Sequence, residues 1–379
     1  MTLEVALSRI RRWLGRAALA AGGLVAGVLA ADCGAGMVAP HGAADLVFGA
    51  PDNAPQGMYL TDHDLVFRPK PGFEGTMRSL GYRVPLRFDA EWGLRGGRVQ
   101  PKTDTARWLA AGDSFTLSPQ VVEADTFAQQ LAARQGLDVL NAGVDGYSTW
   151  QALERYRQLD DALSLDGVLL TFFLGNDFED NRRFRSEVDR ARTRPEGQPI
   201  QRQPVPALTA FLRKNSYLYG QWLVRGRVAA LANPNNPERQ RWASELELFT
   251  TAGERRRNGV RGETERALRA LSNETRARGD TLLVAIAPPA FVVDTDRVAP
   301  TFSLVGLDPA QADLHAPGQM LADILRRMNI AACDLVGPLE AARAAGSEPL
   351  YFTYDGHWTP AGHAVVAQAL GACMPAGAR

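Results

Sequence analysis

The sequence predicts an α/β fold around a central parallel sheet covered on both faces, and three observations predict it. Short apolar runs at 108–111 (WLAA, before Gly112), 138–143 (DVLNAG), 166–177 (DGVLLTFFLGND) and 281–288 (TLLVAIAP) break at glycine, proline or a polar residue, as strands do at a sheet edge. Helical stretches separate them, so the alternation is strand, helix, strand. The 379 residues suffice for one large domain of this kind with additions.

From the N-terminus, residues 1–31 have the composition of a targeting segment. Arg9, Arg11, Arg12 and Arg16 precede an uncharged run from Ala17 to Ala31, with Val28 and Ala30 as small residues at a cleavage position, the arrangement of a signal peptide. The alternative is an uncleaved membrane anchor: a span needs about 20 apolar residues, which a start at Trp13 with Arg16 snorkelling would supply. LAADC at Cys33 has the outline of a lipoprotein signal, which Asp32 fits badly, and Arg11 with Arg12 that of a twin-arginine signal. Residues 32–105 form an N-terminal extension rich in Pro, Gly and Asp, without a long helical period.

From residue 106 onward the βα alternation sets in. Asp125 opens a helical run that Gly136 closes, Ser148 and Gln151 make a capping box for a helix through Leu163, and Thr359 with Pro360 opens a last helix through Leu370. An insertion at about 179–258 follows GND, broken at its start by prolines 195, 199, 204 and 206 and carrying Tyr217, Tyr219, Trp222 and Trp242 among basic residues. Because it leaves the strand at GND, it is placed to rise over the sheet rim as a lid or substrate platform; aromatics at helical spacing also serve as core. Cys333 sits in the strand-like IAACDLVG and Cys373 follows the last helix, so the two could bridge in an oxidising compartment or stay as buried thiols, with Cys33 left over.

Charge sets limits on partners. Lys and Arg total 42 and Asp and Glu total 42, which gives no overall bias toward nucleic acid. The stretch 181–278 is rich in arginine, Arg255 to Arg257 included, and reads as solvated helices or as a surface for an acidic polymer.

Four segments carry chemistry: GDSFT (112–116), NAGVDGYS (141–148), GND (175–177) and DGHW (355–358). Ser114, Gly143 and Asn176 each follow a strand, at the carboxyl edge where open α/β sheets bind ligands. A serine hydroxyl becomes a nucleophile only beside a base, and acyl transfer also needs N–H groups to hold an oxyanion. Asp355 and His357 are separated by Gly356, and residues i and i+2 of an extended segment face the same way, so the carboxylate can reach the imidazole. Plainer roles exist for each: a helix N-cap for Ser114, turn residues for Asn176 and above all Asp177, backbone shape for Gly143, structure for His357. His363 lies inside the last helix and reads as packing. Asp355, His357 and His363 match no common zinc spacing, so neither metal nor cofactor is expected. His41, His63 and His315 have no partner nameable from sequence.

In content and order the four blocks resemble the SGNH/GDSL hydrolase superfamily, from residue 108 to about 370. The resemblance implies a flavodoxin-like three-layer α/β/α sandwich over 106–379. It also implies an extension whose strands, in GMYLTDHDLVFRPKPG and YRVPLRFDAEWGLRG, pack against that domain as in exported bacterial members. Carried over residue by residue, Ser114 would be the nucleophile and one oxyanion donor through its N–H, Gly143 a second through its backbone, and Asn176 a third through its amide. His357 would be the base and Asp355 its orienting acid. The commonest last block is D-x-x-H; the D-x-H-W form here is similar to the alginate O-acetylation proteins, and a backbone carbonyl could stand in for Asp355. The implied activity is a serine esterase acting on O-acyl, chiefly acetyl, esters of a cell-envelope carbohydrate. An O-acyltransferase modifying an exported polysaccharide would use the same residues, and a non-catalytic binding protein is a third reading. The implied location is the periplasm, with membrane contact only through the N-terminal segment.

Overall fold

A computed structural model describes residues 3–38, 55–78, 82–200, 206–209, 216–346, 348–353 and 355–375. His41, Pro204 and the side chain of Cys33 lie outside the described residues. The chain divides into two units, residues 1–44 with 203–230 and residues 45–202 with 231–379. In the first, helix α1 (Leu3–Val38) contains a segment, Arg11–Asp32, long and apolar enough to cross a membrane. Asp32 accepts the N–H of Leu218 at 2.7 Å, beside Tyr217, where helix α6 (Tyr217–Ala232) begins.

The second unit holds a five-stranded sheet. Its strands are β5 (Arg107–Gly112), β6 (Asp138–Asn141), β7 (Gly167–Phe173), β8 (Thr281–Ala287) and β9 (Ala331–Asp334), in the order β6-β5-β7-β8-β9 and parallel throughout. That is the flavodoxin-like order, whose switch point lies between the first and third strands, here β5 and β7. Side chains alternate between two layers because the strand period is two. Leu109, Val168, Leu170, Val284 and Ile286 face a core with Tyr156, Leu159, Leu268 and Leu271. Trp108, Ala110, Leu169, Leu283 and Ala285 face the other, with Phe127, Leu131, Val366 and Leu370. Burial on both faces explains why these strands read as continuous apolar runs.

Helices enter and leave where the local chemistry places them. Helix α3 (Phe127–Gln135) is capped by Thr126 and closed by Gly136; Asp125, the expected opening residue, ends a 3₁₀ turn just before it. Ser148 and Gln151 form the capping box of α4 (Thr149–Leu163). Thr359 caps the last helix (Pro360–Cys373) by accepting the N–H of Gly362 at 3.2 Å. A disulfide joins Cys333 on edge strand β9 to Cys373 at the end of that helix, with Cα atoms 5.7 Å apart.

Two additions surround the sheet. The extension forms hairpins β1–β2 (Tyr59–Asp62, Val66–Pro69) and β3–β4 (Glu74–Arg78, Arg83–Arg87), packed through Met58, Phe73, Leu86 and Phe88 onto Leu117. Its Arg95, 6% exposed, donates to the carbonyls of Leu117, Ser118 and Val121, and burial lowers its pKa to about 10, which still leaves it charged at neutral pH. After β7 come α5 (Asp177–Ala191) and later α7 (Pro237–Glu247), then the long helix Glu254–Arg278. Part of the arginine-rich stretch turns inward, since the fully buried Glu179 pairs with Arg182, Arg183 and Arg256.

Candidate active site

The switch point places the first group. Strand β5 ends at Gly112, Asp113 caps the short helix α2 (Ser114–Leu117) by accepting the N–H of Phe115 at 2.8 Å, and Ser114 occupies the first helical position. Asp113 rather than Ser114 is therefore the cap. A first-turn N–H has no intrahelical acceptor, so that of Ser114 is available to an oxyanion.

Two further rim segments lie beside it. At the end of β7 the Phe173 N–H donates to Asp177 at 2.9 Å, closing the turn that carries Asn176. Asp177 thus has the turn role expected of it, and it is fully buried. Beyond β6, Gly143 donates its N–H to Asn141 Oδ1 at 3.0 Å, while Asn141 Nδ2 donates to Thr116 O at 2.7 Å. A Cβ on Gly143 would lie 2.2 Å from the Leu117 nitrogen, so glycine here permits backbone to touch backbone. The structure gives the Gly143 N–H to Asn141 and does not set Gly143 among the residues lining the cavity described below.

The last block folds into a tight loop. Phe352 N–H donates to His357 O at 2.8 Å and Gly356 N–H to Phe352 O at 3.1 Å, with Gly356 at φ 79°, a left-handed conformation that suits glycine. His357 Nε2 lies 2.7 Å from Ser114 Oγ, and its Nδ1 is hydrogen-bonded to Asp355 Oδ1. Asp355 accepts two more bonds, from Tyr82 OH at 2.6 Å and Gln120 Nε2 at 3.2 Å. The imidazole rests on Phe115 with ring centroids 4.6 Å apart, and Phe115 stacks on Phe173 at 4.0 Å and meets Trp358 edge-on.

Electrostatics follow from this enclosure. Burial by itself would lower the pKa of His357, but the charge and hydrogen bond of Asp355, with Asp113 and Asp145 behind, outweigh it and hold the pKa above 6.5. Burial would likewise raise Asp355; the facing imidazole and the bonds from His357 and Tyr82 outweigh it and keep its carboxyl below the usual range. Asp113 is pushed up to about 7, chiefly by burial, and Asp177 well above the carboxylate range by burial and then by Asp113 and Asp180. Burial thus favours the protonated form of both carboxyls.

Ser114, Asn176, Asp355 and His357 line one cavity of about 360 Å³, with Arg241, Trp242 and Phe291 among its other walls. Trp242 of the insertion lines this cavity, and so does Phe249. His363 is buried, accepts the Phe127 N–H at 3.2 Å and stacks on the Phe127 ring, and burial lowers its pKa to about 3. His63 contacts Arg194 O and His315 lies 3.8 Å from Glu340, both on the surface. Tyr82, Gln120 and Arg95 escape sequence reasoning because their partners are set by tertiary packing; no local motif marks them.

Residues 247–378 match the family model described as SGNH hydrolase-like domain, acetyltransferase AlgX; the match covers Asp355 and His357 but not Ser114. No curated protein matches the chain. Among solved structures, a G-D-S-L family protein from Desulfitobacterium hafniense is 11% identical with a TM-score of 0.38, covering 71% of this chain and 100% of its own. An acetylxylan esterase from Geobacillus stearothermophilus is 12% identical with a TM-score of 0.38, covering 72% of this chain and 96% of its own. An alpha/beta hydrolase enzyme from the metagenome of Lake Arreo is 13% identical with a TM-score of 0.37, covering 71% and 94%. At such TM-scores the likeness bears on neither activity nor substrate.

Proposed function

We propose that this chain is a member of the SGNH hydrolase superfamily with an AlgX-like C-terminal part, and that it is a serine esterase acting on O-acyl, chiefly acetyl, esters of a cell-envelope carbohydrate. The observation that carries the reading is the unbroken hydrogen-bonded chain from Ser114 through His357 to Asp355. Ser114 Oγ attacks the acyl carbon while His357 Nε2 takes its proton, and Asp355 holds the imidazole by Nδ1 and stabilises the imidazolium. The carbonyl oxygen becomes an oxyanion held by the Ser114 N–H and the Asn176 amide. As the intermediate collapses, the departing alcohol oxygen recovers the proton from Nε2 and the acyl group stays on Ser114. Water then gives its proton to Nε2 and attacks the acyl carbon; as this second intermediate collapses, Ser114 Oγ departs and takes the proton back from Nε2, releasing the acid and the free hydroxyl. The aromatic Trp242 and the charged Arg241 and Glu245 on the cavity wall suit a sugar ring and its hydroxyls.

A second reading replaces water with a sugar hydroxyl, giving an O-acetyltransferase; the match of residues 247–378 to an acetyltransferase domain favours it. The same residues serve both, because the two differ in how far the site excludes water. Labelling with a fluorophosphonate probe tests the shared premise: the folded protein should react and Ser114→Ala should not. A folded protein that stays unlabelled would sink both readings. Incubation with an acetyl donor and candidate polysaccharides then separates them by the ratio of acetylated polymer to free acetate.

A further inference from the structure

We infer that Asp180 is a positioning residue for the oxyanion donor: it fixes the side-chain amide of Asn176 with its NH₂ group, not its carbonyl, available to the reacting ester. The inference rests on the oxyanion role given to Asn176 above.

Asn176 Nδ2 donates to Asp180 Oδ2 at 2.8 Å, a contact one turn along α5. An ionised carboxylate only accepts, so the amide nitrogen must face it, and a bond of this kind is stronger than one between neutral groups. A primary amide carries two N–H donors, which leaves the second for an oxyanion. Asn176 Oδ1 has no hydrogen-bond partner and is closed off from solvent. Were Asp180 unable to accept, nothing would prevent the amide from turning over to satisfy that oxygen. A turned amide would present an acceptor where the oxyanion needs a donor.

The other carboxylate oxygen is held from a different element. Asp180 Oδ1 lies 3.4 Å from Arg241 on α7 and 3.6 Å from Arg183 on its own helix, and both arginines also contact Glu245 of α7. Arg241 and Glu245 line the catalytic cavity, so the network joins the substrate wall to the oxyanion amide. The groups facing Asp180 are thus Arg241 and Glu245 from α7, and Asp177, Arg183 and Glu187 from α5. Burial, opposed by Arg241 and Arg183 and assisted by Glu245 and Glu187, pushes its pKa up to about 7. Below that pH the carboxyl gains an O–H able to bond Asn176 Oδ1, and the amide turns away from the site.

A double-mutant cycle tests this. Asn176→Ala should lower kcat by about a hundredfold or more, as expected for loss of one oxyanion donor. Asp180→Ala alone should lower kcat about tenfold or more with KM nearly unchanged, yet should add less than about twofold on the Asn176→Ala background, because it acts through Asn176. Asp180→Asn keeps the side-chain shape and serves where the alanine variant does not fold. It should lower kcat severalfold and remove one proton from the acid limb of kcat/KM. Equal losses from Asp180→Ala in both backgrounds, or a wild-type kcat in the folded variant, would overturn the inference while leaving the oxyanion assignment intact. An Asn176→Ala enzyme as fast as the parent would instead defeat that assignment, and the role of Asp180 with it.

Discussion

The extension reaches the catalytic residues and the insertion reaches the catalytic cavity, and they do so with different chemistry. From the extension come fixed hydrogen bonds to the machinery itself: Tyr82 to Asp355, and Arg95 to the three carbonyls just beyond the nucleophile helix. From the insertion come cavity walls and paired charge: Trp242, and Arg241 with Glu245 facing Asp180. On this division Tyr82 of the extension should act on the catalytic geometry and Trp242 of the insertion on the fit of the substrate, with Asp180 the insertion's link to the oxyanion amide. It can be broken by mutations that make each addition behave like the other.

The largest effect is expected at Arg95. Its removal leaves the carbonyls of Leu117, Ser118 and Val121 buried without their donor, and each such group costs about 1–3 kcal/mol. Arg95→Ala should therefore lose about 3 kcal/mol or more in urea unfolding, and Arg95→Lys should recover little, since an ammonium lacks the planar fork. A loss under about 1 kcal/mol would show that the extension is not what holds the loop after Ser114.

Arg95 also marks the limit of what the sequence disclosed. Strands β5, β6, β7 and β8 were legible because both-face burial makes apolar runs, and the glycine or polar residue after each run lies at the carboxyl edge. Ser114 and Asn176 were legible for the same reason, and His357 through its local spacing from Asp355. Tyr82 lies 273 positions from Asp355, and only the fold brings them together. Arg95 and Asp180 sit in stretches where arginine and aspartate are ordinary surface residues, and burial alone makes them consequential. Gly143 shows the converse: its motif is plain, but whether its N–H faces the ester or Asn141 depends on a side chain two residues back.

On the insertion side the effect should fall on binding. Trp242→Ala removes an aromatic wall of the cavity without touching Ser114, His357 or Asn176. KM for a carbohydrate ester should rise about tenfold with kcat within about twofold, the signature of lost uniform binding. With p-nitrophenyl acetate, which has no sugar to stack, the variant should match the parent. A fall in kcat on both substrates would put Trp242 in the machinery and erase the contrast.

The smallest effect, and the sharpest for the extension, concerns Tyr82. Its hydroxyl donates to Asp355 Oδ2 and helps keep that carboxyl below its usual range, so Tyr82→Phe should make Asp355 more basic. A more basic carboxylate holds the imidazolium more tightly and raises the pKa of His357, already above 6.5. Catalysis needs the neutral imidazole, so the acid limb of kcat/KM should move to higher pH by a few tenths of a unit, where one full unit corresponds to about 1.4 kcal/mol. Gln120 still holds Oδ1, which keeps the shift small, and neither KM nor the high-pH plateau should change by more than about twofold. A limb that stays in place while KM rises would assign Tyr82 to the substrate, and the extension would then do what the insertion does.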